Sequence, residues 1–253
     1  MENLERKQLL DRIVRLTGKA IKEYGLIEEN DRVLVGVSGG KDSLALLEIL
    51  GRRMKIFNPR FTLVAAHIGM ENIPYRSDTG YLEEQAARWN IPFVHYHTSF
   101  DPESDPNRSP CFLCSWNRRK ALFRLAGEHG CNKIALGHHQ DDILQTLLMN
   151  MTFQGAFSTM PPKLVMNKFA MTVIRPFCLV REKDLLAFSR LSGYVGQKKK
   201  CPYEQSSSRP EMKEILRRLE EMNPQAVHSL WGSMNNVQPA YLPAGKESPA
   251  KKR

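Results

Sequence analysis

Apolar positions Leu4, Leu9, Ile13, Val14, Leu16 and Ile21 recur at roughly helical spacing, so residues 3–25 are expected to form an amphipathic helix. The pattern then changes. The run Asp31-Arg-Val-Leu-Val-Gly-Val37 is short, apolar and β-branched, as a buried strand requires. A Gly-rich turn follows, and residues 44–50 resume helical spacing. Further strand-like runs fall at 61–68, 92–97, 133–137 and 171–175, with helical patterns at 76–89, 121–129, 142–151 and 182–192. This alternation predicts an α/β fold, a parallel sheet flanked by helices and linked by right-handed crossovers. In that architecture ligands bind beyond the carboxyl ends of the strands, and the polar motifs fall in those loops. No internal repeat is visible. The expected organisation is an N-terminal helix over 1–25, a nucleotide-binding and catalytic domain over 26–195, a C-terminal helical segment over 196–241 and a disordered tail over 242–253.

Charge narrows the choice of partner. Lys plus Arg outnumber Asp plus Glu by ten (37 against 27), with clusters at Arg52-Arg53-Met54-Lys55, Arg118-Arg119-Lys120, Lys198-Lys199-Lys200 and Arg217-Arg218. A surplus of this size favours a polyanion such as nucleic acid, because each cation near a phosphate releases a counterion. No run approaches the roughly 18 apolar residues of a membrane span. The charged N-terminus lacks an apolar signal region, so a cytoplasmic protein is expected. Five cysteines, an odd number in such a chain, point to metal or redox chemistry rather than a disulfide framework.

Between the first strand and its helix lies Ser38-Gly39-Gly40-Lys41-Asp42-Ser43. Two glycines allow a tight turn, and the following helix presents unsatisfied N–H groups and partial positive charge, which together make a phosphate cradle. Ser38 and Ser43 can add hydroxyls, and Lys41 adds charge. This is not a Walker loop, since Gly36 and Gly40 are separated by three residues and Asp42 follows Lys41. An Asp beside a triphosphate repels it unless Mg²⁺ lies between, so Asp42 is a candidate metal ligand. The six residues resemble the pyrophosphate loop of the adenine-nucleotide α-hydrolase-like (PP-loop) ATP pyrophosphatases. That resemblance implies cleavage of ATP between its α and β phosphates, with AMP left on a substrate oxygen.

Gly137-His138-His139-Gln140-Asp141-Asp142 also joins a strand to a helix. Asp142 is the stronger candidate for chemistry, beside Lys41 and Asp42, and Asp141 is expected mainly to cap the helix. Gly137 and His138 are assigned to the nucleotide site, as are His67 at the end of the second strand and Arg175 before Pro176. Arg175 is placed to clamp phosphate.

Cys111-Phe-Leu-Cys114 opens the helix that carries Arg118, Arg119 and Lys120. Two sulfur ligands on one turn, at a helix N-terminus and beside cations, suit a metal. Zinc, iron–sulfur and dithiol redox chemistry all remain open for this motif alone. Cys201, in a loop between helical segments, supplies a third candidate ligand, whereas Cys131 and Cys178 sit in apolar runs and are read as packing residues. Three cysteines fall short of the usual four for structural zinc or a cubane cluster.

These cysteines, the segment 134–146, Met160-Pro-Pro-Lys163, Ile174-Arg-Pro176, Arg181-Glu-Lys-Asp184 and Cys201-Pro-Tyr together resemble the tRNA 2-thiocytidine synthetases, from about residue 10 to about 242. The resemblance implies an enzyme that uses ATP and Mg²⁺ to adenylate the C2 oxygen of cytidine 32 of tRNA and replace it with sulfur. It implies a [4Fe–4S] cluster on Cys111, Cys114 and Cys201, a cysteine desulfurase as sulfur donor, and a homodimer. Some members carry a second Cys-x-x-Cys, whose first position is Lys198 here. Rival readings are a 2-thiouridine-type thiolase working through a cysteine persulfide, an adenylating ligase of the tRNA-lysidine type, and a non-catalytic zinc RNA-binding protein.

Overall fold

The computed structural model describes residues 2–56, 58–73, 77–166, 170–197 and 208–243. In chain order the elements are α1 (Glu2–Tyr24), β1 (Asp31–Gly36), α2 (Lys41–Met54), β2 (Phe61–Met70), α3 (Thr79–Ala87), β3 (Phe93–Thr98), α4 (Pro110–Glu128), β4 (Lys133–Ala135) and α5 (Gln140–Gln154). They continue with β5 (Lys163–Met166), β6 (Met171–Ile174), α6 (Glu182–Leu191), α7 (Arg209–Met222) and α8 (Ala226–Ser233). No described helix is long and apolar enough to cross a membrane.

The strands form one sheet in the order β3-β2-β1-β4-β6-β5. Pairs β1–β2, β2–β3, β1–β4 and β4–β6 are parallel. Alternation along β1 explains the layering. Val33 and Val35 face a core that also takes Ile13 and Ile21 of α1, Leu46 and Leu50 of α2, Leu82 of α3 and Phe188 of α6. Leu34, between them, faces the opposite layer with Ala121, Leu125 and Ala126 of α4. A side-chain period of two therefore sends neighbouring residues to opposite helical layers, and both faces of the sheet are covered.

The expected parallel sheet is found, with one departure. The sheet is not wholly parallel, because β5 pairs antiparallel with β6 at the edge, Lys163 opposite Ile174. Leu164 and Val165 point to opposite faces and are both exposed, so this strand carries no alternation of polarity to betray it. The helix expected to open at Cys111 and carry Arg118, Arg119 and Lys120 is α4, which continues without a break through the helical pattern at 121–129. It is one continuous helix of 19 residues, capped by the Ser109 hydroxyl on Phe112 N–H and entered through Pro110. Of the expected tail, residues 244–253 lie outside the described residues.

Successive strands run outward from β1 to β2 and β3 on one side and to β4 and β6 on the other. The order thus reverses between β1 and β4, and the loops leaving those two strands diverge to opposite sides of the sheet. Residues 38–43 follow β1 and residues 137–142 follow β4, so the topology sets both motifs at the mouth of one crevice.

Gly51 gives a test of packing against propensity. A Cβ there would lie 2.6 Å from Trp89 Cγ, and Arg52 and Lys55 hold the other contacts of that indole at 4.8 and 5.0 Å from its centroid. Helix propensity alone favours alanine by about 1 kcal/mol. Overpacking of about 1–3 kcal/mol opposes it. Gly51→Ala is expected to lower stability in urea unfolding; a gain would show that Trp89 yields freely.

Candidate active site

Gly39 has φ +80°, a left-handed conformation that side chains rarely adopt, and a Cβ there would also lie 2.7 Å from Gln197 Cγ. Glycine at this position is therefore required twice over. Around it the serines hold the loop's shape. Ser43 Oγ donates to the Gly40 carbonyl at 2.9 Å and accepts from Ser38 N–H at 3.1 Å. Ser38 Oγ accepts from Gly40 N–H at 3.3 Å and donates to Ser43 Oγ at 3.2 Å. Both hydroxyls are thus engaged within the turn.

The helix that follows differs from its neighbours. Asp78 caps α3, Ser109 caps α4 and His139 caps α5 through their side chains, but Gly40 offers α2 no side-chain cap. Ser43 N–H turns to the Gly40 carbonyl at 3.1 Å, which leaves the amides of Lys41 and Asp42 for an anion, and the helix dipole adds positive charge there. Lys41 Nζ folds onto Asp42, at 2.8 and 2.9 Å from its two oxygens, and stands 3.6 Å from Glu182 of α6. Glu182 in turn pairs with Lys213 of α7 at 2.7 Å. Burial disfavours ionisation of Glu182, but Lys213 and Lys41 outweigh it and hold the carboxyl below its usual range.

Beside this loop opens a cavity of about 520 Å³, lined by Val37 and Ser38 from the end of β1, His67 through Met70 from β2, His97 from β3, and Arg118 and Leu122 from α4. His67 is buried, and its Nδ1–H donates to the Val37 carbonyl at 2.7 Å, which ties the ends of β1 and β2 together. Gly69 lets His97 approach, since a Cβ there would meet that imidazole at 2.5 Å. Volume, apolar walls and a few polar groups suit a nucleobase or nucleoside.

The loop after β4 closes against α2. A Cβ on Gly137 would sit 3.1 Å from the Asp42 carbonyl, so the two phosphate-side loops touch backbone to backbone. His139 and Asp142 form a reciprocal capping box. Asp142 Oδ2 accepts from His139 N–H at 3.1 Å, and His139 Nδ1 accepts from Asp142 N–H at 3.3 Å. An accepting Nδ1 carries no proton, so the close approach of His139 to both aspartates is not an ion pair.

Asp141 was expected to cap its own helix, and that expectation is corrected. Its carboxylate turns away to Arg181, at 3.0 and 3.1 Å, and accepts from Glu182 N–H at 2.7 Å. Asp141 therefore caps α6 across the crevice, while Arg181 reaches on to Glu220 of α7 at 2.8 Å. Burial raises the cost of the charged Asp141, but Arg181 and the Glu182 amide more than offset it and hold the carboxyl below its usual range. Capping of α5 falls instead to His139 and Asp142, because position three of the helix, not two, reaches back to the cap amide.

Behind this loop gather cations. Arg175 is buried, donates from Nη1 to the Pro161 carbonyl at 2.6 Å, and leaves Nε without a hydrogen-bond partner among the described residues. Burial and then the charge of Arg119 push its guanidinium down to about 10. His138 Nδ1 is likewise buried and unpartnered among the described residues. Burial, then Arg175, push His138 down to about 4, so it is neutral at pH 7. Arg209 reaches Asp142 Oδ1 at 3.5 Å. Buried polar atoms without partners cost free energy and are few in folded proteins, which makes this corner a candidate for an anionic or polar ligand.

Cys111 and Cys114 are half-buried on the first turn of α4, with Cys114 packed against Met70, Ile73, Phe100 and Leu113. Arg118, which lines the cavity, lies four residues on, about 6 Å along the helix axis. The spacing of four from Cys114 was legible, but only the continuity of α4 shows that thiols and cavity share one rigid element. Cys201 lies outside the described residues, as do Lys198, Lys199 and Lys200. Its flanks do not. Gln197 covers Gly39 and accepts from Asp78 N–H at 2.8 Å, and Arg209 stands at Asp142. The contacts of Gln197 carried no signal in the sequence. Cys131 and Cys178 are buried, and burial pushes Cys131 up and Cys178 up to about 12. Both remain protonated packing groups.

Residues 9–210 match the family model of the PP-loop domain. The tRNA-cytidine(32) 2-sulfurtransferase of Syntrophotalea carbinolica is 39% identical over 239 residues, covering 93% of this chain and 92% of that protein. Its counterpart from Methylococcus capsulatus is 36% identical over 245 residues, covering 95% and 84%. Among solved structures, the U34-tRNA thiolase NcsA from Methanococcus maripaludis, with its [4Fe–4S] cluster, superposes with a TM-score of 0.78 at 26% identity, over 91% of this chain and 80% of that one.

Both lowered groups predict loss of stability in acid, in separate windows. An unfolded His binds its proton near pH 6.5, so His138 withdraws stability as pH falls from there towards 4. Asp141 withdraws its share only below about pH 4, where the unfolded carboxyl protonates first. In denaturant unfolding across this range, His138→Gln should flatten the upper limb and Asp141→Asn the lower one. Asp141→Asn should also cost about 2–3 kcal/mol at pH 7, since Arg181 and the Glu182 amide lose a charged acceptor.

Proposed function

The chain belongs to the tRNA-cytidine(32) 2-sulfurtransferases of the PP-loop class, and from that premise we propose that it adenylates the C2 oxygen of cytidine 32 in tRNA and replaces it with sulfur. The carrying observation is that one helix, α4, bears a pair of thiols on its first turn and, one turn later, an arginine that lines the cavity beside the phosphate loop.

A pyrimidine oxygen is too poor a leaving group to exchange for sulfur unaided. In the first step O2 bonds to the α-phosphorus of ATP as the bridge to the β-phosphate breaks, and pyrophosphate departs. In the second a sulfur nucleophile bonds to C2, and the C2–O2 bond breaks with the oxygen carried off on AMP. The uncapped amides of α2 take the departing pyrophosphate, and Lys41 swings from Asp42 and Glu182 to its charge. Asp42 is then free to hold Mg²⁺, an ion that keeps most of its waters and needs few protein ligands. The base and ribose of ATP enter the cavity against His67 and the backbone of residues 66–70. Arg175 and His138 supply unpaired polar atoms at the far side of the phosphates. Asp142 holds the loop that carries them.

For the cluster, Cys111 and Cys114 fit as two sulfur ligands on one turn. The third is Cys201, four residues along the chain from Gln197, which covers Gly39 of the phosphate loop. When bound, a cluster on three thiolates supplies an iron open to an outside sulfur ligand. Cysteine desulfurase as the source of that sulfur, a cytoplasmic setting and a homodimer belong to the same proposal. The basic surface holds the tRNA, and the target base leaves its stack, which is easiest in a loop.

Lys41→Ala and Asp42→Ala should each reduce tRNA-dependent ATP–pyrophosphate exchange by about 100-fold or more. Nucleosides of tRNA from cells lacking the protein should lose 2-thiocytidine alone. Loss of a thiouridine instead, or full activity of a colourless, iron-free protein purified without oxygen, would move the assignment to a persulfide thiolase.

A further inference from the structure

The opening half of α4 carries a second surface that the reaction above does not use. Phe112 and Trp116, one turn apart, are 41% and 53% exposed. Their rings lie nearly parallel, at 8°, with centroids 6.5 Å apart. The Arg108 guanidinium lies over the Phe112 ring at 4.6 Å from its centroid. Arg108, Phe112 and Trp116 are spaced i, i+4, i+8, and Arg119 and Lys120 extend the stripe by another turn. At about 100° per residue, the stripe lies roughly a quarter-turn round the helix from Cys111.

Large aromatic rings left in water on a helix call for an occupant. Charge selects it. From 106 to 127 the chain holds Arg108, Arg118, Arg119, Lys120 and Arg124 and no acidic residue; at its two ends Asp105 stands 3.9 Å from Arg108 and Glu128 3.2 Å from Arg124. An apolar peptide face or a second copy of the chain would have to desolvate those cations. Single-stranded RNA instead offers π faces for the rings and phosphates for the arginines.

We propose that Arg108, Phe112 and Trp116 form a stacking platform for an unstacked loop nucleotide of the substrate RNA, on the side of α4 nearer Cys111. The platform rests on the reading of tRNA as substrate and deepens it. A nucleotide next to the target stacks on Trp116 and prolongs the ring ladder, while Arg119 and Lys120 hold its phosphates. A sequence-tolerant contact of this kind fixes where the loop lies, so the target base is presented from the side of α4 that bears Cys111.

Binding of a fluorescein-labelled anticodon stem–loop RNA to the full-length protein tests this by anisotropy, against a fully paired RNA duplex of equal length. Trp116→Ala should weaken the stem–loop about tenfold and leave the duplex unchanged. Trp116→Tyr should restore binding, and Trp116→Leu, which keeps apolar area but no π face, should not. Phe112→Ala should act in the same direction, and Arg119→Ala should weaken both RNAs. Equal loss on stem–loop and duplex, rescue by leucine, or conversion of a dimer to a monomer by Trp116→Ala in sedimentation each overturns the platform. Wild-type protein that thiolates tRNA while Trp116→Ala matches it in RNA affinity overturns the platform and leaves the thiolation reading standing. Wild-type protein that makes no thiolated nucleoside but still needs an aromatic ring at 116 to hold the stem–loop overturns the reading and leaves the platform.

Discussion

The bare amino end of α2 is the constraint from which the site follows. A helix N-terminus leaves amide groups that something must satisfy, and three neighbouring helices meet that need with their own side chains. Here the sequence Gly39-Gly40-Lys41 withholds a cap, and Ser38 and Ser43 are turned inward to stiffen the turn. Everything nearby accommodates the unmet demand. Gly137 has no side chain, so its loop can lie against Asp42. Lys41 rests on two carboxylates from which a polyphosphate can draw it away.

Much of this was legible in the chain itself. A β-branched run, two glycines and a helical pattern identified the phosphate loop, because backbone conformation dictates those residue types locally. A parallel sheet with its ligand loops beyond the strand ends follows from alternating elements and the handedness of crossovers, whereas the strand order that brings the two loops together does not. Other features depended on tertiary partners. The role of Asp141 is set by Arg181, 40 residues away, and adjacent aspartates on a helix look alike until the cap geometry separates them. Strand β5 has no polar face, and its edge position hides it from any periodicity. Gln197 is an ordinary residue made special by the glycine it covers.

Electrostatically the two sides of the crevice differ. Around α6, acids and bases pair in a mesh of Arg181, Asp141, Glu220, Glu182 and Lys213 that ties α5, α6 and α7 together. Around Arg175, Arg119 and His138 no such mesh of ion pairs forms among the described residues, the charge of Asp142 opposes the cations only in part, and burial sharpens the imbalance. Rigidity thus resides on one side and appetite for negative charge on the other. A polyanion entering the crevice meets an already braced wall and an unneutralised one.

The uninterrupted course of α4 has a consequence for how such a protein can change. Its thiols, its exposed rings and its cavity arginine share one axis, so their separations are counted in residues rather than set by flexible joints. Inserting or removing a single residue between Cys114 and Arg118 would swing one group through about 100° relative to the other. The helix behaves as a keyed shaft: substitutions along it are open to drift, whereas its register is locked.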